Sequence, residues 1–283
     1  MGYARETIVG YVASLTGSTT FDALTANSNQ SFTVRSFADG STCYLEDVWQ
    51  ASAAHPILLS IKSPRMHDDV LGIELASTPL GVGSTGADFN PQNTIPGFLQ
   101  QQLYSTDVLS VTANGTASDK AIGVFNIRYS NLGGVAGDFF AWQQIQPLVR
   151  NLVGILVQPQ ASATVGVLGT GVALNSSSSR LKANVDYAIL GYTCSIPVAA
   201  VVVNGVNTGN LNVGGPGNWD ISETGSFFVD RSIRYGVPAI PVVNANNAGG
   251  TFISCADIVA STHPNVTLIM GELSQRLSGT QAQ

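Results

Sequence analysis

The sequence predicts an all-β protein, and three observations support this fold class. Short runs rich in Val, Ile, Phe, Tyr and Thr recur along the 283 residues, and these residue types favour strands. Turn-forming pairs, among them Asn-Gly, Gly-Gly and Pro-Gly, separate the runs. Helical patterns are few and short. Regular short strands divided by turn residues are typical of β-sandwiches and barrels.

The run at 121–130, AIGVFNIRYS, shows the clearest strand pattern of the first half. Phe125, Ile127 and Tyr129 alternate with polar residues, so a strand places all three on one face. Residues 38–55 show no clear pattern. Further strands are predicted at 6–15, 31–37, 57–63, 70–76 and 107–113.

The second half begins after a segment with helical spacing. This segment, 138–157, starts at an Asp and is interrupted by Pro147, and we interpret it as a link between the halves. A short helix is also predicted at 95–105, and 45–54 is ambiguous. Strands of the second half are predicted at 163–174, 185–196, 198–206, 225–229, 239–245, 251–259 and 266–274.

The two halves repeat a similar pattern at an offset of roughly 140 to 145 residues. Pro56 and Pro197 each precede an apolar strand, a turn and a second short strand. This repetition predicts a duplicated β domain, with chance agreement among generic strands as the alternative. The matching segments are 55–75 with 196–213, 106–113 with 251–260, and 121–130 with 265–274.

Composition narrows the function classes. Charged residues make up 11% of the chain and the formal net charge is −6, whereas soluble domains usually carry about a quarter charged residues. A surface with so few charges suits a protein that is mostly covered by copies of itself. Lys and Arg are scattered singly, so we expect no direct sequence-specific binding of nucleic acid.

Two segments, TGNLNVGGPGNW (208–219) and IPVVNANN (240–247), are similar to phage structural proteins. Together with the duplicated β pattern and the low charge, they give the chain a resemblance to the double jelly-roll major capsid proteins of icosahedral viruses. The resemblance covers the whole chain as pattern and composition. It implies two jelly-roll β-sandwich domains in tandem with few short helices, at 1–150 and 151–283, with the link 138–157 ending the first.

The same resemblance implies a structural function without catalysis. Three copies would form a trimer with a nearly hexagonal outline, and trimers would assemble into an icosahedral shell. The expected partners are copies of this chain, neighbouring capsomers and minor capsid or vertex proteins. Because the group includes membrane-containing phages, an internal membrane is also among the expected contacts. The expected location is the virion, after synthesis in the host cytoplasm.

No catalytic, cofactor-binding or metal-ligating residue is predicted. His67, Asp68 and Asp69 could bind a metal, but no second histidine motif accompanies them, and we interpret them as a polar turn. The glycines of 166–174 lack the Lys-Ser/Thr of a phosphate-binding loop. Three widely spaced cysteines are expected to be buried free thiols, which suits a reducing compartment: Cys43, Cys194 and Cys255.

Two other function classes stay open on the sequence. A spike, adhesin or lectin-like sandwich would expose tryptophans on a carbohydrate-binding face, with Trp49, Trp142 and Trp219 as the candidates. A glycosidase would use Asp220 and Glu223 as its pair of carboxyl groups. We interpret these two acidic residues as part of a loop.

Overall fold

The computed structural model of the protein is built mainly of antiparallel strands joined by turns. It describes residues 2–37, 42–52, 55–66, 72–76, 101–132, 137–176, 180–217 and 224–279. Within these residues the strands form four antiparallel sheets and the helices are short. The prediction of an all-β sandwich protein is confirmed.

The first half supplies two sheets. Its strands are β1 (Gly2–Val12), β2 (Asp22–Ala23), β3 (Thr25–Ala26), β4 (Thr42–Ser52), β5 (Leu58–Lys62), β6 (Ile73–Ala76), β7 (Gln101–Leu103), β8 (Ser110–Asn114) and β9 (Ala121–Leu132). Sheet 1 has the order β3-β1-β9-β4-β7, and sheet 2 has the order β2-β8-β5-β6.

The second half supplies two further sheets and the described α-helices. Its strands are β10 (Phe139–Phe140), β11 (Val149–Val157), β12 (Val172–Ala173), β13 (Asp186–Cys194), β14 (Val198–Gly205), β15 (Val213–Gly217), β16 (Ile240–Asn244), β17 (Thr251–Ala256) and β18 (Val266–Leu273). Its helices are α1 (Trp142–Ile145) and α2 (Phe227–Tyr235). Sheet 3 has the order β10-β16-β13-β18-β11, and sheet 4 has the order β12-β17-β14-β15. In the described part of the chain, neither helix has the length or the apolar character that crossing a membrane requires.

Both halves have the strand order of a jelly roll. In that fold eight strands alternate between two sheets, one with the order first-eighth-third-sixth and the other with the order second-seventh-fourth-fifth. Without the extra strand β3, sheets 1 and 2 follow these two orders from β1 to β9. Without β10, sheets 3 and 4 follow them from β11 to β18. The chain therefore contains two jelly rolls in tandem.

The sequence repeat matches equivalent strands of the two jelly rolls. The paired segments at 55–75 and 196–213 contain the fourth strands, β5 and β14, and reach into the fifth strands, β6 and β15. The other two matches pair the seventh strands, β8 and β17, and the eighth strands, β9 and β18. The predicted division between residues 150 and 151 falls within β11, and it stays a prediction.

The alternation in β9 places its apolar residues as predicted. Phe125, Ile127 and Tyr129 lie in a core between sheets 1 and 2, together with Leu45 and Leu59. A second and larger core lies between sheets 3 and 4 and contains Tyr187, Tyr192 and the Val run of β14. Each sandwich thus has its own hydrophobic core.

The two segments with a predicted helical pattern are not helical over most of their described residues. Residues 101–103 of the predicted helix at 95–105 form β7, and residues 95–100 lie outside the described residues. In 138–157 the helix α1 covers only four residues before a 3₁₀ turn at Gln146–Leu148. Pro147 ends the helical pattern because it lacks an N–H donor, and the rest of the segment is β11.

The predicted strand at 225–229 is wrong, because the segment begins helix α2. The apolar run of Phe227, Phe228 and Val229 is too short to distinguish strand from helix by its spacing. A helix forms because Arg231 and Ser232, one turn later, are buried on the same side as the two phenylalanines. Gly236 ends the helix with φ 64°, a conformation that glycine adopts without strain.

Other predictions from local sequence are wrong in their extent. Residues 31–37 form only an isolated bridge between Thr33 and Val108, and 163–174 is a loop apart from β12. Residues 45–52 of the ambiguous segment 45–54 belong to the long strand β4, and residues 53–54 lie outside the described residues. In each case pairing with distant strands decides the conformation, because local propensity for strand is weak and depends on context.

Strand β15, VGGPG, lies in the stretch 187–219, the longest part of the sequence without a charged residue. Its packing explains why this stretch is rich in glycine. All five residues of β15 are buried. A Cβ atom on Gly214 would lie 1.9 Å from the carbonyl oxygen of Val201, and one on Gly215 would lie 2.4 Å from the Phe227 ring. The glycines let β15 approach β14 and α2 more closely than any side chain allows.

We therefore expect Gly214→Ala to destabilise the protein by about 1–3 kcal/mol or to prevent folding, because overpacking forces the backbone to shift. Gly250→Ala is the matched control, since a Cβ atom there meets nothing within 4 Å. Thermal unfolding followed by circular dichroism measures both variants. Equal melting temperatures for the two would contradict this account of β15.

Candidate functional site

The most elaborate site in the described residues is the interface between the two sandwiches. Sheet 1 contributes one face to the first core, and its opposite face lies against the second sandwich. Val9, Trp49 and Val124 project from this second face and belong to the second core. Sheet 1 is therefore buried on both faces, which is why β1, β4 and β9 are rich in buried residues throughout.

Strands β1 and β15 are joined directly across the interface. The Thr7 amide donates to the Asn212 carbonyl (2.6 Å), and the Gly214 amide donates to the Thr7 hydroxyl (2.8 Å). That hydroxyl in turn donates to the side chain of Asn126 (2.6 Å). These bonds connect the two jelly rolls, and they account for the polar Asn126 on the outer face of β9.

A cluster of buried charges lies in the same interface; we call it the interface charge cluster: Arg5, Glu46, Asp47, Arg128 and Arg231. Glu46 is fully buried and accepts from both Arg5 (2.5 Å) and Arg128 (2.6 Å). Arg5 also donates to the Pro238 carbonyl of the second sandwich (3.1 Å). Charges buried this deeply are tolerated only when they are paired and hydrogen-bonded.

The second part of the cluster crosses between the sandwiches. Asp47 of β4 forms an ion pair with Arg231 of α2 (3.0 Å) and accepts from the Tyr235 hydroxyl (2.5 Å). Burial and the Asp47 carboxylate raise the pKa of Tyr235, so the phenol keeps its proton. The Arg231 guanidinium also lies over the rings of Trp49 and Phe227, 4.7 and 3.5 Å from their centroids.

The arrangement is suited to fixing the geometry of the interface. Its carboxylates are occupied by arginines and a tyrosine, and the arginine that joins the sandwiches is enclosed by aromatic rings. In the part of the chain that the structure describes, no three His, Cys, Asp or Glu side chains are grouped to hold a metal ion. The site therefore holds the two jelly rolls in one orientation.

Most residues singled out from the sequence lie elsewhere. Trp49 is buried in the interface, so it forms no exposed carbohydrate platform, and Trp142 is half-buried. Residues 67–69 and 219–223, with the candidate metal ligands, Trp219 and the candidate glycosidase carboxyls, lie outside the described residues. The interface charge cluster was not predicted from the sequence. Its one available signal is the occurrence of charged pairs such as Glu46-Asp47 inside strands of a weakly charged chain.

The prediction of buried free thiols is confirmed for all three cysteines. Burial raises the pKa of Cys43 to about 11 and that of Cys255 to about 12, and it also raises the pKa of Cys194. Thiols with such pKa values are poor nucleophiles at neutral pH, because the thiolate is the reactive form. These side chains act as small apolar residues of the cores.

The fold places the chain in the class of proteins with two tandem jelly rolls. No model of a protein family matches the sequence, and no curated protein matches it. Among solved structures, the crystal structure of the STIV MCP, a major capsid protein, aligns with 97% of this chain and 98% of that one. The identity is 10% and the TM-score is 0.16. A likeness this weak establishes neither the fold nor the function of this chain.

Removing one charge from the centre of the cluster tests its role. We expect Glu46→Gln to cost about 3–5 kcal/mol of unfolding free energy, because two buried guanidinium groups lose their carboxylate. Glu272→Gln is the control: Glu272 pairs with Lys182, whose side chain is 61% exposed, so the change should be much smaller. Urea unfolding measures both, and a Glu46 effect no larger than the control would contradict the assignment.

Asp257 gives a pH-dependent contribution to stability. Burial raises its pKa from 3.8 to about 6, although hydrogen bonds from Thr262 and Ile258 oppose the rise. Between pH 4 and 6 the folded protein therefore keeps a proton that the unfolded chain has lost. Stability from this group is present at acidic pH, falls as pH rises through this window, and is constant above it.

We expect the difference in unfolding free energy between the wild type and Asp257→Asn to fall by about 2 kcal/mol from pH 4 to pH 6.5. Asp22→Asn is a control of opposite sign at more acidic pH: hydrogen bonds from Thr16 lower the pKa of Asp22 below 3.8, so its difference should rise with pH below about pH 4 and be nearly flat above it. Urea unfolding at a series of pH values measures both differences. A flat difference for Asp257→Asn would contradict the raised pKa.

Proposed function

We propose that the protein is a structural capsid subunit that assembles with copies of itself, as trimers, into an icosahedral shell, and that it acts without catalysis. The observation that carries this proposal is the joining of two jelly rolls through an interface that leaves sheet 1 no solvent face. A shell subunit must keep its shape under contact from all sides. An interface with an apolar core and paired internal charges gives such rigidity, because opening it exposes both.

Exposed apolar side chains support the self-assembly part of the proposal. Strand β11 is the terminal strand of sheet 3, and its Leu152 is 69% exposed. Leu156 is also exposed on the same strand. Exposed apolar side chains on a strand at a sheet edge favour association with another chain. In the proposed shell, a neighbouring copy covers this strand.

The proposal extends to location and partners. The protein would reside in the virion after synthesis in the host cytoplasm, and it would contact neighbouring capsomers and minor capsid or vertex proteins. An internal membrane is a further proposed contact. The charge of −6 and the scattered Lys and Arg residues support a shell that does not itself bind nucleic acid by sequence.

Light scattering and negative-stain electron microscopy of the purified protein test the proposal. We expect trimers with a hexagonal outline, or closed shells. Leu152→Asp should weaken association at least about tenfold, because a charge cannot be buried in the contact. Val259→Asp is the matched control: Val259 is 48% exposed but lies in a loop.

Circular dichroism verifies that both variants are folded. A wild-type protein that stays monomeric at physiological salt would contradict the capsid proposal. Equal weakening by the two variants would contradict the assignment of β11 as a contact between copies.

A further inference from the structure

A groove of about 480 Å³ lies between the two sandwiches, away from the interface charge cluster. The first sandwich contributes residues 27–30 and Arg35 to its lining. The second contributes 168–171, 210–212, and Phe252 and Ser254 of β17 in sheet 4. The volume falls within the range of about 300–1,000 Å³ that is usual for small-molecule sites.

The groove carries no free formal charge among the described residues that line it. Its two ionisable side chains, Glu6 and Arg35, form a bidentate pair with distances of 2.7 and 2.8 Å. The Tyr129 hydroxyl also donates to Glu6 (3.1 Å). A phosphate, a carboxylate or a cation would find no unpaired counter-charge here. The groove therefore favours a neutral ligand.

The polar lining offers both donors and acceptors. It consists largely of side-chain amides and hydroxyls, among them Asn29, Thr170, Asn210 and Asn212. Within the described part of the chain, the side-chain amides of Asn29, Asn210 and Asn212 form no hydrogen bond to the protein. An amide supplies two donors and an acceptor. This chemistry matches a ligand whose hydroxyl groups both donate and accept.

Phe252 adds an aromatic ring to the lining of the groove. Phe252 is 41% exposed, and it lies beside Gly171, where a Cβ atom would come within 2.9 Å of the Phe252 Cβ. A side chain at position 171 would therefore displace this residue. The glycine leaves bare backbone beside an exposed aromatic face, so a flat ring can approach closely. The apolar face of a sugar ring has the shape to pack there.

The groove is fixed in shape by a buried amide. Asn27 donates to the carbonyls of Val9 and Gly166 (both 2.9 Å) and accepts from the Leu168 amide (2.6 Å). These bonds attach the loop 166–171 of the second sandwich to the first one. A site held in its binding geometry before the ligand arrives loses less entropy on binding.

We propose that this groove binds a neutral oligosaccharide, with the sugar ring against Phe252 and its hydroxyls bonded to the asparagine amides. The proposal does not depend on assembly, because the residues that line the groove belong to one chain. It also does not require Trp219 or the carboxyls at 220 and 223.

Saturation-transfer NMR with the full-length protein tests the proposal. The ligands are neutral trisaccharides of glucose, mannose, galactose and N-acetylglucosamine, with sialyllactose as an anionic comparison and tetra-alanine as a neutral peptide. We expect at least one neutral sugar to bind with a Kd of about 1 mM or tighter. Phe252→Ala should weaken that binding at least about tenfold.

Phe21→Ala is the matched control, because Phe21 is also 41% exposed but does not line the groove. Asn29→Gly is a second variant: Asn29 has φ 64°, which glycine adopts readily, so the amide is removed with the backbone unchanged. It should weaken binding several-fold. Absence of binding by every neutral sugar, preference for sialyllactose or the peptide, or equal affinities of Phe252→Ala and Phe21→Ala would overturn the proposal.

Discussion

Sheet 1 is covered on both faces, and the arrangement of the two sandwiches depends on this constraint. Its inner face closes the first core, and its outer face, with Val9, Trp49 and Val124, completes the second. Separating the jelly rolls would expose this apolar surface together with the paired charges around Glu46. Part of the first jelly roll thus belongs to the core of the second one. The two halves are therefore joined through a shared core, although each has a complete jelly-roll topology.

The distribution of charge follows from the same constraint. In a chain with only 11% charged residues, five charges are placed inside the interface. Buried ion pairs contribute little net stability compared with apolar residues of the same shape, but a wrongly aligned pair is costly. We infer that the interface charge cluster specifies the relative orientation of the sandwiches. The apolar residues supply the stability, and the arginines determine the alignment.

The groove also depends on the interface, because residues of both sandwiches line it. The hydrogen bonds of Asn27 hold the groove in one shape. The ion pair between Glu6 and Arg35 leaves its lining without an unpaired charge. A shell subunit with such a groove would combine two functions in one chain: contacts between copies through β11, and recognition of sugar at the boundary of its two jelly rolls. These functions use different surfaces, so variants can separate them.

The sequence by itself determined the all-β class, the repeat of two halves and the buried cysteines. These depend on local alternation, turn residues and composition, and the fold preserves them. Tertiary structure alone decided the helix α2, the strands β4 and β7, and the polar residues of the interface. The sequence around Phe227 and Phe228 is compatible with a strand or a helix. The ion pair between Arg231 and Asp47, which forms only in the folded protein, favours the helix. Glu46 and Arg128 resemble solvent-facing residues of a strand, because only the packing of a second sandwich on sheet 1 shows that their face is buried.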